Sequence, residues 1–334
     1  LLKNTLIFTL GNIGSRMISF FLIPLYTNVL TTSQYGTVDL ITTISTVAGP
    51  MLTLNIAESV MRFGLDKDAD KEKNTQCGSI VLLIAMIIGL VLIPICRCIT
   101  EVSDYAMYVY FYVISLSASQ LFLCDLRGKE LLLKYSLGNI LQTLMIAILN
   151  ITFLLVFKME TGGYLLAYII ANFIVAIYAI IAGKGYKAFS FHNIDRCKLK
   201  EMIRYSIVLI PNTFMWWIMN SSDRVMVTYM IGAAANGIYA VSYKLPTLVS
   251  TLTGIFNQAW SYSAIREEGT SDETEYNNKM FKTLSAIAFM MGIGLLLLTK
   301  PFLGVYVADS YYDAWKYTPF LIIGCVYLTL GTFM

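Results

Sequence analysis

The chain has 334 residues, 57% of them hydrophobic and 13% charged, with a net charge of +3 and a mean hydropathy of +0.66. That apolar content exceeds what a water-soluble core absorbs and excludes an ordinary soluble domain. The small positive charge gives no ground for nucleic-acid binding, because the topology described below accounts for it.

A helix crosses the hydrocarbon with about 20 apolar residues. Runs free of Asp, Glu, Lys and Arg cover 17–38, 40–57, 77–96, 105–124, 135–157, 161–183, 205–222, 245–265 and 283–299. The first joins through Arg16 to the apolar Asn4–Ser15, which predicts one long helix over 4–30. A last apolar stretch, 317–334, makes the tenth helix. The fold class expected is all-α and polytopic. Because the chain lacks an initiator Met and stops inside an apolar run, the reading is of a fragment whose missing part is mostly C-terminal. A signal peptide is the weaker reading, since the first helix has no short basic region, compact apolar core and cleavage site.

Cys77, Cys96, Cys98, Cys124, Cys197 and Cys325 show no zinc-site spacing and read as small apolar residues. His192, the only histidine, lies in a polar loop without a ligand partner. No metal, cofactor or His-based catalysis is expected, and the chain does not read as an enzyme.

The loops are short, so the positive-inside rule applies. Seventeen Lys and Arg fall on one side, in the segments around 3, 62–76, 125–134, 184–204 and 266–282, against Arg97, Lys158, Lys300 and Lys316 on the other. The N-terminus is therefore expected in the cytoplasm. The connection 184–204 mixes Lys184, Tyr186, Lys187, Phe189 and Phe191, a composition suited either to the headgroup layer or to a solvated linker. It divides the chain into a six-helix bundle at 1–183 and a second bundle at 205–334. Sliding the chain by 204 residues superposes Tyr35 on Tyr239 and Arg62 on Arg266, a weak sign of a parallel repeat.

Charges inside the bilayer cost at least about 2.5–3.5 kcal/mol each on insertion scales and need a cavity or a partner. Arg16, Asp223 with Arg224, and Lys244 are such charges, and Asp223 reads as the only deep acid. They suggest a cationic cavity for an anionic group such as a diphosphate. The plainer alternative pairs Arg224 with Asp223 and lets Lys244 snorkel. Glu58 and Arg62, four apart with the acid first, read as a helical ion pair; Arg62 and Arg266 would form an inner phosphate gate on a bolder reading. Pro24, Pro50, Pro94, Pro211, Pro246 and Pro319 lie in apolar segments and read as kinks or packing features.

The segments Phe21-Leu22-Ile23-Pro24-Leu25-Tyr26-Thr27-Asn28-Val29-Leu30 and Gln34-Tyr35-Gly36, with Asp39-Leu40 after them, resemble the start of the polysaccharide-exporting flippases. Asn28 stands where that family often has Arg. Asp223-Arg224, Gly237-Ile238-Tyr239 and Arg62 extend the resemblance. It implies the fold of the multidrug/oligosaccharidyl-lipid/polysaccharide exporter superfamily, two six-helix bundles in a MATE-like V, with the second incomplete here. It also implies flipping of undecaprenyl-diphosphate-linked sugar units across a bacterial plasma membrane, with membrane lipids, a polysaccharide polymerase and other assembly proteins as partners. Substrate contacts would fall on Arg16, Arg62, Asp223, Arg224, Lys244 and Arg266. Two readings compete: a drug/cation antiporter of the same superfamily, which would favour acids in its cavity, and a membrane polysaccharide polymerase, which would carry a long outer loop.

The orientation is directly testable. In a chain with its cysteines replaced by serine, Lys187→Cys should resist a membrane-impermeant maleimide in intact cells while Lys158→Cys is labelled. The opposite pattern would invert the topology.

Overall fold

The computed structural model describes residues 18, 20–66, 69–97, 102–189, 195–254, 256 and 273–333. They form helices α1 (Ile23–Val29), α2 (Thr32–Leu52), α3 (Ile56–Gly64), α4 (Lys71–Cys96), α5 (Ala106–Gly128), α6 (Leu132–Ile151), α7 (Glu160–Ala182), α8 (Arg196–Met230), α9 (Ala233–Ser242), α10 (246–254), α11 (Glu273–Tyr306) and α12 (Thr318–Phe333). Among the described residues five helices are long and apolar enough to cross a membrane, and seven if each of two bent pairs counts as one span. We call the end bearing the turns at Thr31, Lys158 and Gly232 the upper end.

Local chemistry explains several boundaries. Thr31 and Gln34 close a capping box at the start of α2: the Thr31 hydroxyl accepts from Gln34 N at 3.2 Å and the Gln34 carbonyl oxygen accepts from Thr31 N at 2.9 Å. Asp195 caps α8 by accepting from Lys198 N at 3.0 Å. The helix therefore begins at Arg196, inside the expected linker. At the C-terminus of α7, Lys134 Nζ donates to the Ala182 carbonyl at 2.7 Å and Lys129 Nζ to that of Gly183 at 2.9 Å, which satisfies two terminal acceptors. Not all the prolines bend helices. Pro24 sits in the first turn of α1 and Pro246 opens α10, positions where the missing N–H costs nothing.

The second span is broken. α2 and α3 meet at 60° across Thr53–Asn55, where Leu54 and Asn55 take φ of 53° and 54°. Pro50 lies just above the break, and Asn55 N reaches back to the Pro50 carbonyl at 2.6 Å.

Two hydrophobic centres hold the helices. At the upper end Tyr26, Tyr35, Tyr164 and Tyr311 cluster with ring centroids 4.9–6.1 Å apart, and the Tyr311 hydroxyl donates to Leu30 O at 3.0 Å. At the lower end Ile56, Val60, Leu121, Leu126 and Val175 pack with Met202 of α8. Outward-facing residues such as Ile87, Val91, Ile181, Leu297 and Phe320 remain more than half exposed, as expected of surfaces that meet lipid.

Helices α2 and α9 touch backbone to backbone. A Cβ on Gly36 would lie 1.8 Å from the Ala233 carbonyl oxygen, and one on Gly237 would lie 2.0 Å from that of Thr32. The contact is reciprocal: Thr32 with Ala233 and Gly36 with Gly237 are each 201 residues apart. The N-caps Thr31 and Gly232 share that spacing. The repeat register at this crossing is thus 201, almost one helical turn from the 204 suggested by matching Tyr35 to Tyr239. Only glycine admits this approach.

Gly36→Ala and Gly237→Ala should each destabilise the detergent-solubilised chain by about 1–3 kcal/mol, the usual cost of overpacking. Gly324→Ala, with nothing within 4 Å of its added Cβ, should leave the melting temperature unchanged.

Candidate functional site

A seam of polar contacts runs down the interface between α8 and the second span. On α2, Asp39 and Thr43 are four apart and share a face. The Arg224 guanidinium of α8 donates through Nη1 to Asp39 Oδ1 at 2.8 Å and lies 3.4 Å from Thr43 Oγ1. The pair is largely enclosed, with side-chain exposures of 18% for Arg224 and 7% for Asp39. The Tyr243 ring stacks under the guanidinium at 5.4 Å. Asn236 Nδ2 donates to Gly36 O at 2.9 Å and lies 3.5 Å from Asp39 Oδ2. Lower on the seam, Trp217 Nε1 donates to Thr43 O at 2.9 Å and Asn55 Nδ2 to Thr213 Oγ1 at 3.3 Å.

Asp223 is engaged elsewhere: its carboxylate accepts from Arg224 N at 2.9 Å and from the Tyr239 hydroxyl. It does not pair with its neighbour's guanidinium. Lys244 is half-buried in the turn after α9 and has no ion-pair partner among the described residues. The cluster at the upper end therefore holds two acids, Asp39 and Asp223, against Arg224 and Lys244.

Beneath the ion pair lies a cavity of about 750 Å³ between α5, α6, α8 and the bend in the second span. From Asp39 to Pro50 and from Arg224 to Thr213 are both eleven residues, so each helix places the cavity about 16 Å below the pair at a 1.5 Å rise. The lining is rich in carboxamides, namely Asn55, Gln120, Asn139, Gln142 and Asn212. Ser119 and Thr213 add hydroxyls, and Tyr135 and Tyr205 add rings. Gln142 Nε2 donates to Asn172 Oδ1 at 2.7 Å, and the Tyr205 ring packs edge-on against Phe63 at 5.6 Å, so parts of the wall are held from behind.

Among the described residues of that lining Glu58 is the one acid, and none is Lys, Arg or His. The expected Glu58–Arg62 pair does not form. Arg62 turns the other way and bonds Asp66 at 2.5 Å, with both side chains about half exposed at the lower end. A guanidinium so placed keeps its hydration, whereas reaching back to Glu58 would draw it into the cavity wall.

Of the residues singled out from the sequence, Asp223, Arg224 and Lys244 come together at the upper end, and Arg62 lies apart at the lower end. Arg16 and Arg266 fall outside the described residues. Asp39 and the carboxamides were missed as site residues, and Asp223 is not the only deep acid. Asp39 left a signal, since it interrupts an otherwise charge-free stretch over 17–57. The amides left none, because Asn and Gln carry no charge to break an apolar run. Among the described residues no three His, Cys, Asp or Glu side chains are grouped to hold a metal.

A sequence model for the family described as "Polysaccharide biosynthesis protein" matches residues 1–262. No curated protein matches. Among solved structures, a MATE transporter in complex with MaD3S is 13% identical, with a TM-score of 0.53 over 99% of this chain and 81% of that one. The Vibrio cholerae MATE transporter VcmN in its bent form is 11% identical, with a TM-score of 0.52 over 99% and 84%. An inward-facing multidrug resistance MATE transporter of the MOP superfamily is 12% identical, with a TM-score of 0.52 over 95% and 81%. At such identities the likeness is one of fold. The chain belongs to the polysaccharide biosynthesis protein family and is an all-helical, multi-pass membrane protein with a MATE-like fold.

Proposed function

We propose that this protein moves undecaprenyl-diphosphate-linked oligosaccharides from the cytoplasmic to the outer leaflet of a bacterial plasma membrane. The observation that carries the reading is the carboxamide- and tyrosine-lined cavity in a chain of this family. Carboxamides both donate and accept, which matches sugar hydroxyls, and tyrosine rings offer flat apolar faces to sugar rings. The basic loops support a cytoplasmic N-terminus and lower end, so the cavity would load from the side where such lipids are made. A polysaccharide polymerase and other assembly proteins would act on the delivered unit.

In this reading the Asp39–Arg224 pair, with Asn236 and the Gly36–Gly237 crossing, closes the path to the outer face. Release of sugar would require the pair to part. Arg224 and Lys244, with Arg16, would meet the diphosphate as it passes, while Arg62 and Arg266 would help gather it at the inner entrance. Asp223 would hold Tyr239 in place beside them.

One observation favours a second reading, a drug/cation antiporter: Glu58 is an acid without an ion-pair partner in the cavity among the described residues. Vesicles containing the purified full chain separate the two. They should translocate a fluorescent lipid-diphosphate oligosaccharide and leave a cationic dye such as rhodamine 6G where it is. Dye export without lipid movement would overturn the flippase reading.

The gate can be tested by removing its charges singly and together. Asp39→Asn and Arg224→Gln should each cost about 3–5 kcal/mol of stability, because each leaves one buried charge uncompensated. The double variant should recover most of that loss on thermal melting. It should still translocate lipid poorly if Arg224 also meets phosphate.

A further inference from the structure

The cavity also bears on which sugars can be carried, an inference that rests on the flippase reading above. We infer that it receives the glycan of the carried lipid and selects glycans free of carboxylates, with Glu58 as the selecting residue. A neutral sugar offers hydroxyl hydrogens that a carboxylate accepts, and the surrounding amides can satisfy the hydroxyl oxygens. A uronic acid brings a second carboxylate, which only accepts. Beside Glu58 it would meet like charge in a confined, poorly screened space.

Three features leave the described lining without a cation to offset this. None of the described residues around the cavity is basic. Arg62, one helical turn from Glu58, is committed to Asp66 at the surface. Arg127 stacks on the Tyr135 ring at 5.5 Å and does not line the space. The cations of the upper cluster lie about 16 Å away along the helices and are balanced by Asp39 and Asp223. Charge is thus segregated among the described residues: the cluster at the upper end can meet a diphosphate, whereas the described lining of the cavity beneath it holds one negative charge, Glu58, among neutral hydrogen-bonding groups. The cavity's volume lies within the range of ligand pockets, roughly 300–1,000 Å³, so a short oligosaccharide is a fitting occupant.

The experiment uses the full chain reconstituted in liposomes and two lipid-diphosphate tetrasaccharides that differ in one ring, hexose in one and the corresponding hexuronate in the other. Wild type should move the neutral lipid at least about tenfold faster, a modest value for one like-charge contact. Glu58→Gln should lower that ratio by about the same factor, and Glu58→Asp, which keeps the charge, should preserve it. The inference is overturned if wild type moves both lipids equally or prefers the acidic one, or if Glu58→Gln leaves the ratio unchanged. If neither lipid moves, the flippase reading fails, and the cavity is judged by saturation-transfer NMR of the two free tetrasaccharides with the detergent-solubilised chain. Binding of the neutral sugar alone, abolished by filling the cavity with Asn139→Trp, would sustain the selectivity. Equal binding of both, or of neither, would overturn it.

Discussion

A guanidinium and a carboxylate enclosed in a membrane protein tolerate few arrangements, and the Asp39–Arg224 contact limits how these helices can assemble. Either charge alone would carry an uncompensated desolvation cost, so each is retained only where the other is within reach. Meeting at 2.8 Å ties the register of α8 to that of α2. Above it, the second-span backbone must approach α9 closely enough for Asn236 to reach the Gly36 carbonyl, which glycine at 36 and 237 permits. Below it, the same register sets Trp217 against Thr43 and Thr213 against Asn55. The cavity opens where the second span bends away from this seam. Charge pairing at one level thus determines where empty space appears at another.

Much of this was legible in the sequence, at the level where composition acts. Stretches free of charge gave α5, α7 and α12 within about four residues, because hydrocarbon admits little else, whereas α8 and α11 run well past their charge-free windows at both ends. The polar character of α8, which falls short of the apolarity of a lipid-facing span, was also visible in Asn212, Asn220, Asp223 and Arg224. What stayed hidden was decided by competition between partners. Arg62 has an acid four residues before it and another four after, and spacing cannot choose between them; hydration chose Asp66. Asp39 drew no reading as a site residue because its partner is 185 residues away. The repeat appeared at 204 because tyrosines are conspicuous, while the contact that defines the register is made by glycine, whose role is to have no side chain.

The electrostatic picture differs from a uniformly basic lumen. The described upper cluster is balanced, the described lining of the cavity carries a single acid, and most Lys and Arg fall in the short loops between apolar runs. The family match and the MATE-like likeness of fold define the scaffold on which these charges sit. On the proposed flippase reading, the distribution of charge within it would distinguish a head-group zone from a sugar zone.

The bend across Thr53–Asn55 has an energetic meaning beyond its shape. Leu54 and Asn55 both take left-handed backbone angles, and for a residue with a branched apolar side chain such as Leu this costs about 1–2 kcal/mol. The second span is therefore held bent against its own preference, like a drawn spring, by the packing of α3 on α5 and α8. Asn55 is part of the cavity wall and directly follows the strained Leu54. Any conformation that relaxes its backbone must reshape that wall. Local strain and the volume of the cavity are thus coupled through one turn of the chain, and part of the work of reshaping the cavity can be stored in that bend.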